Sequence, residues 1–423
     1  MTRRSGLALL FAVLALLVVV LGWWVLSDTP ARPAPGPGNT DPTATRVARG
    51  AYLARAGNCA ACHTRQGGEA YAGGRAIETP FGIVYSSNLT PDRATGIGNW
   101  TSVDFWRALH EGRAPDGRLL YPAFPYTSYT LVSQDDADAL FAYLRSLPPV
   151  SEANRPHAMR WPYDSQLALA AWRTLYFKPA SFQKDPARDP QWNRGAYLVQ
   201  GLGHCNACHA ARNLLGAVDE RLALAGGTMP MNNWYAPSLL HTAEAGLGQW
   251  SLADIVQLLG TGRVGNASVI GPMAEVVYHG TQYLTQEDLT AMAVYLKDLP
   301  QDAAVPETGS PAASRLGADI YGENCAQCHG KNGEGVAGAY PALAGNRAVL
   351  MRSTANAVQI ILHGGFAPAT TGNPRPFGMP PYKLVLDDRS VAAVLTHIRS
   401  SWGNQAGAVS EFDVRRYRAT DKP

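Results

Sequence analysis

Six cysteines are present, and they fall into three pairs with one spacing: Cys59-Ala60-Ala61-Cys62-His63, Cys205-Asn206-Ala207-Cys208-His209 and Cys325-Ala326-Gln327-Cys328-His329. Two thiols at this spacing, followed at once by an imidazole, have a direct chemical reading. Each thiol forms a thioether with one vinyl group of a haem, and the histidine reaches the iron as an axial ligand. A single copy would also suit a thiol–disulfide redox pair or half of a zinc site. Three copies weigh against both, because zinc would need a matched second ligand pair each time and a redox pair does not need the histidine. The expectation is three covalently bound c-type haems, with His63, His209 and His329 on iron.

The elements that position these residues repeat as well. Arg49-Gly50-Ala51-Tyr52-Leu53, Arg194-Gly195-Ala196-Tyr197-Leu198 and Arg315-Leu316-Gly317-Ala318-Asp319 lead into the three motifs. Each lead-in carries apolar residues at helical spacing, and each repeat closes with an amphipathic stretch: Asp135 to Leu147, Gln286 to Leu299 and Asp387 to Ser400. Pro148 and Pro300 stop the first two. Asp135-Asp136 and Glu287-Asp288 sit at helix starts, where the helix dipole accounts for them. Units of about 100 residues are too long for a solenoid, so the reading is mainly α, as three tandem small helical domains.

Composition narrows the function further. The net charge is +3, from 36 basic and 33 acidic residues, which gives no electrostatic reason to expect a nucleic acid partner. Hydrophobic residues make up 46% and charged residues 16%, so general disorder is excluded. There is no dinucleotide-binding glycine motif, no phosphate-binding loop (Gly330-Lys331-Asn332 lacks the following hydroxyl residue) and no zinc-peptidase pattern. Near the N-terminus, Arg3 and Arg4 precede an apolar run from Leu7 to Leu26, long enough at about 1.5 Å per residue to cross a bilayer. It reads as an uncleaved anchor, with a removed signal peptide as the alternative. Either way the remainder is exported.

The sixth iron ligand is read from the repeats. Met379, in Gly-Met-Pro-Pro before the last helix, and Met273, in Gly-Pro-Met at the same place in the second repeat, form a consistent pair. Met292 and Met351 are less suited. Met229 and Met231, beside Pro230 in a loop, are chemically able. In the first repeat the alignment of Leu109-His110-Glu111-Gly112-Arg113 with Leu259-Gly260-Thr261-Gly262-Arg263 places Phe124 in the ligand slot, and phenylalanine cannot bind iron. His110 is a candidate substitute, but His363 recurs at the same place in the third repeat beside Met379, which favours a structural role. Met159 and an open position remain alternatives.

These motifs, with Tyr121-Pro122-Ala123-Phe124-Pro125-Tyr126, Gly271-Pro272-Met273-Ala274-Glu275-Val276-Val277, Met379-Pro380-Pro381 and Arg399-Ser400-Ser401-Trp402-Gly403-Asn404, resemble the membrane-associated tri-haem cytochrome c subunits of bacterial periplasmic dehydrogenases. The resemblance covers roughly residues 46–416. It implies cytochrome c-like domains at 46–150, 191–302 and 303–405. Around them lie an anchor or signal at 1–27, a Pro-rich tether at 28–45, a linker or strap at 151–190 and a tail at 406–423. It also implies an electron-transfer subunit rather than a catalyst on its own, located on the periplasmic side of the bacterial inner membrane. The partners implied are a catalytic dehydrogenase subunit (quinoprotein, flavoprotein or molybdenum enzyme) and ubiquinone or a terminal oxidase. The family's usual residue at position 124 is methionine, so Phe124 is a departure. The competing reading is a haem enzyme or small-ligand-binding protein using an open first haem. No distal acid–base group is evident around Phe124 to support it.

Overall fold

The computed structural model describes residues 43–418 except 230–231, 243, 266 and 303–313. The expected membrane span at 7–26 lies outside the described residues, and among those no helix is long and apolar enough to cross a membrane. The chain divides into two compact units. One takes in the residues up to Gly50 together with His63–Phe182, the other Ala51–Cys62 together with Gln183 onward.

In the first unit, the lead-in helix Ala44–Ala56 meets the closing helix Gln134–Ser146 at Gly50. A Cβ on Gly50 would stand 1.9 Å from the Ala139 carbonyl oxygen, so only glycine permits the crossing. Beside it Arg49 Nε donates to Asp136 Oδ1 at 2.9 Å. Asp136 is 2% exposed, and its carboxylate serves an ion pair with the exposed Arg49 as well as the helix start. Helix Ser102–Glu111 begins with a reciprocal Thr101–Asp104 cap and stops at Gly112, whose φ of 56° is left-handed. Its Phe105 stacks on Phe141 of the closing helix, ring centroids 5.3 Å apart.

The expected linker at 151–190 belongs to this unit as far as Phe182. Ala158–Met159 adds a third antiparallel strand to the hairpin Ala76–Thr79 and Gly82–Tyr85, with Gly82 opposite Met159. Helix Gln166–Tyr176 packs Leu169 and Ala170 against Leu119. Gln166 Oε1 accepts the Leu119 N–H at 2.7 Å. An open strand edge and an apolar helix face are reasons enough for the segment to fold onto its neighbours.

The second unit contains the same crossing twice. Pro190–Tyr197 meets Gln286–Asp298 at Gly195, 1.9 Å from an added Cβ to the Ala291 oxygen, and Arg315–Asn324 meets Asp388–Ser400 at Gly317, 2.2 Å to the Ala393 oxygen. Arg194 grips Asp288 with two bonds of 2.8 and 2.7 Å, and Tyr52 donates to the same carboxylate at 2.6 Å. Ile320, Val358, Leu362, Val391, Val394 and Leu395 build the core around the last crossing. The expected tail at 406–423 instead folds back as helix Glu411–Arg418, burying Val414 fully. Arg418 Nε donates to Asp388 at 2.6 Å, which ties the returning helix to the start of Asp388–Ser400.

Candidate functional site

Each cysteine pair lies on one short helical turn just after its lead-in helix. Cys59–His63 is a five-residue helix, while Cys205 and Cys325 cap Asn206–His209 and Ala326–His329. Residues three apart share a helix face, so both thiols of a motif address the same side. The chain turns sharply into the first two motifs at Asn58, φ 51°, and His204, φ 38°.

The histidines show the strongest regularity. His63 Nδ1 lies 2.7 Å from the Ser87 carbonyl oxygen, His209 Nδ1 2.8 Å from that of Pro237, and His329 Nδ1 2.9 Å from that of Pro341. A carbonyl can only accept, so a neutral ring holds its hydrogen on Nδ1 and keeps the Nε2 lone pair for a metal. Burial pushes all three imidazoles below their ordinary pKa, which favours that neutral form. No sequence signal pointed to Ser87, Pro237 or Pro341. The separations from histidine to acceptor are 24, 28 and 12 residues, so no fixed spacing exists to find.

The thiols discriminate among the chemistries. Burial, reinforced by the neighbouring cysteine, pushes Cys59 and Cys205 up to about 12 and Cys325 up to about 11. Reactive dithiols need a depressed thiolate pKa, and these go the other way. No disulfide joins the six cysteines. Among the described residues no group of three or more His, Cys, Asp or Glu side chains is placed to hold a metal ion. Paired thiols and one oriented imidazole do fit a porphyrin with two vinyl groups.

The remaining candidates are placed as follows. Met273 is the second residue of helix Pro272–His279, and Met379 lies in a two-residue strand with Gly378, opposite Gly365; both are half-buried. Phe124 precedes the short helix Tyr126–Tyr129, its ring 5.4 Å from that of Tyr129. The three slots do not share one backbone form. Pro272 suits the first turn of a helix, whereas Pro380-Pro381 and Pro125 disfavour helix at the residue before them. His110 is 4% exposed, with Nδ1 3.0 Å from the Trp106 oxygen and Nε2 2.5 Å from the Val132 oxygen. Both ring nitrogens face carbonyls, so His110 is structural. His363 is exposed at the end of helix Ala355–His363. Met159 lies half-buried in its edge strand, and Met229, Met292 and Met351 are buried. Met231 lies outside the described residues.

The family profile for cytochrome c matches residues 47–148 and 314–402. Over 90% of its length the chain is 40% identical to the cytochrome c subunit of alcohol dehydrogenase (quinone) from Gluconacetobacter polyoxogenes, covering 86% of that protein. The chain belongs to the cytochrome c family. This cytochrome is also 37% identical to the gluconate 2-dehydrogenase cytochrome c subunit of Pantoea cypripedii, over 96% of the chain and 95% of the relative. It is 34% identical to the fructose dehydrogenase cytochrome subunit of Gluconobacter japonicus, over 89% of the chain and 83% of that protein. Membership implies covalently bound c-type haem, in keeping with the paired thiols and oriented imidazoles.

Proposed function

We propose that this cytochrome is the electron-transfer subunit of a dehydrogenase complex, carries three c-type haems, and catalyses no substrate reaction of its own. Three imidazoles, each held through Nδ1 at 2.7–2.9 Å from a backbone carbonyl and each beside a cysteine pair, carry the reading. Cys59 with Cys62, Cys205 with Cys208 and Cys325 with Cys328 hold the groups. His63, His209 and His329 would bind the irons, and Met273 and Met379 would supply the further ligand in the second and third repeats. The groups supply one-electron chemistry when bound. The protein fixes their positions, orients the imidazoles and excludes water with its cores.

The relatives' names support a catalytic partner that oxidises an alcohol, a sugar or a sugar acid. Electrons leave to ubiquinone or a terminal oxidase. The apolar run at 7–26 anchors the chain, placing residues 43 onward on the periplasmic side of the bacterial inner membrane. Purification from native membranes tests this. A dehydrogenase subunit should co-purify, and its substrate should reduce the haems of the complex. A chain that purifies alone and is reduced by no dehydrogenase would overturn the reading.

A further inference from the structure

The second histidine is supported differently from the other two. Its acceptor, the Pro237 carbonyl, lies in residues 235–238, and Glu244 braces that segment by accepting from the Tyr235 hydroxyl at 2.9 Å and from the Ser238 N–H at 2.6 Å. A second brace comes from the third repeat. Asn356, in the first turn of helix Ala355–His363, donates from Nδ2 to the Tyr235 carbonyl at 2.8 Å, and its Oδ1 accepts the Tyr235 N–H at 2.9 Å. One side chain thus satisfies both backbone groups of Tyr235, as a neighbouring strand would. One turn on, Gln359, 4% exposed, donates to the Asn232 carbonyl at 3.1 Å and holds the approach to the same strand.

The other two acceptors are held without Asn356, although Arg263 of the second repeat donates to the Gly338 carbonyl at 2.7 Å in the loop before Pro341. Next to Ser87, Asn88 donates to the Val150 carbonyl at 2.8 Å and takes the Asn154 side-chain oxygen on its N–H at 2.8 Å, all within the first unit. Near Pro341, the Gly335 N–H returns to the His329 carbonyl at 2.8 Å, and Val336 bridges Tyr340.

We propose that Asn356 is a positioning residue for His209, so that the third repeat sets the strength of the hydrogen bond on the second site's axial imidazole. This rests on the haem reading given above. A firm Nδ1–H···O=C bond makes an imidazole a stronger donor and favours ferric iron. Loosening residues 235–238 weakens that bond and raises the potential of one group. Asn356 bonds near neither the Ser87 nor the Pro341 carbonyl, so the first and third sites stay where they are.

The test is a redox titration of the full haem-loaded chain, resolved into its components. Asn356→Ala should raise one component and leave the others unmoved. At fixed applied potential its ferrous-to-ferric ratio should rise severalfold, up to about tenfold, which is ~59 mV for a one-electron couple. Glu244→Gln, acting on the same carbonyl through a different brace, should move the same component. Asn356→Asp keeps the acceptor for the Tyr235 N–H but loses the donor, so it should give a smaller shift; it also serves if the alanine variant does not accumulate. No shift, a common shift of all components, or different components moved by Asn356→Ala and Glu244→Gln would each overturn the proposal. A wild-type mass with fewer than three haems would overturn the haem reading instead, whatever Asn356 does.

Discussion

Replacing Gly195 by alanine should destabilise the second unit, although the same change in an exposed helix gains about 1 kcal/mol. The added Cβ would stand 1.9 Å from the Ala291 oxygen and 2.5 Å from its carbonyl carbon, where real Cβ contacts essentially never fall below 3.0 Å. The obstacle is helix backbone and cannot rotate aside, so the crossing must open by about 1 Å. Opening it also stretches the Arg194–Asp288 bonds of 2.8 and 2.7 Å at the same place. Overpacking of this kind costs ~1–3 kcal/mol, and the weakened charge-assisted bonds add to it, for a net loss of roughly 2–4 kcal/mol after the helix gain. At about 2–4 °C per kcal/mol for a unit of this size, Tm should fall by roughly 5–15 °C. Thermal unfolding of the haem-loaded chain by far-UV circular dichroism measures it. A variant as stable as the parent would refute the packing argument. Gly50→Ala and Gly317→Ala, with 1.9 and 2.2 Å to the Ala139 and Ala393 oxygens, should behave alike.

Asp288 yields a pH-dependent test. Burial alone would raise its carboxyl pKa, but hydrogen bonds from Arg194 and Tyr52 outweigh burial and hold it below the ordinary value. Its stabilising effect is therefore present above the unfolded carboxyl pKa of about 4 and fades as pH falls through the lower folded value. Asp288→Asn should cost roughly 1–3 kcal/mol at pH 7, with the gap to the parent closing below about pH 4, as denaturant titrations at several pH values would read. A gap that persisted at acid pH would contradict the ion-pair role. Cys325→Ala should remove one haem unit from the intact mass and leave the others, since each motif has its own histidine and acceptor. Met273→Ala and Met379→Ala should each abolish one methionine–iron absorption signature and lower one potential, with the parent showing two such signatures. Three in the parent would make Met159 the leading candidate for the first site.

The attachment chemistry was legible because covalent haem demands a short contiguous motif, and the repeated Arg-Gly-Ala-Tyr-Leu announced the helices before it. The structural role of His110 was also legible, from the recurrence of a histidine as His363 in the third repeat, where Met379 is the candidate ligand. What sequence could not show depends on contacts far apart in the chain. Asp136 and Asp288 looked like ordinary helix-start carboxylates, yet each pairs with an arginine of its lead-in helix, 87 and 94 residues away. The backbone acceptors of the three histidines carry no side-chain signature. Residues 151–182 looked like a linker, because a single added strand and one short helix only gain meaning once Gly82 and Leu119 offer places to pack. The closing helix Glu411–Arg418 was hidden by its charge, since only Val414 and Tyr417 of its residues pack on the core.

The central claim is that one chain carries three covalent haems. Intact mass spectrometry of the mature native chain, expressed with working haem-attachment machinery, tests it most directly. The expected mass is that of the polypeptide plus three haem units, accompanied by the thioether-type pyridine haemochrome spectrum. A mass short by one or more haem units in that host would contradict it.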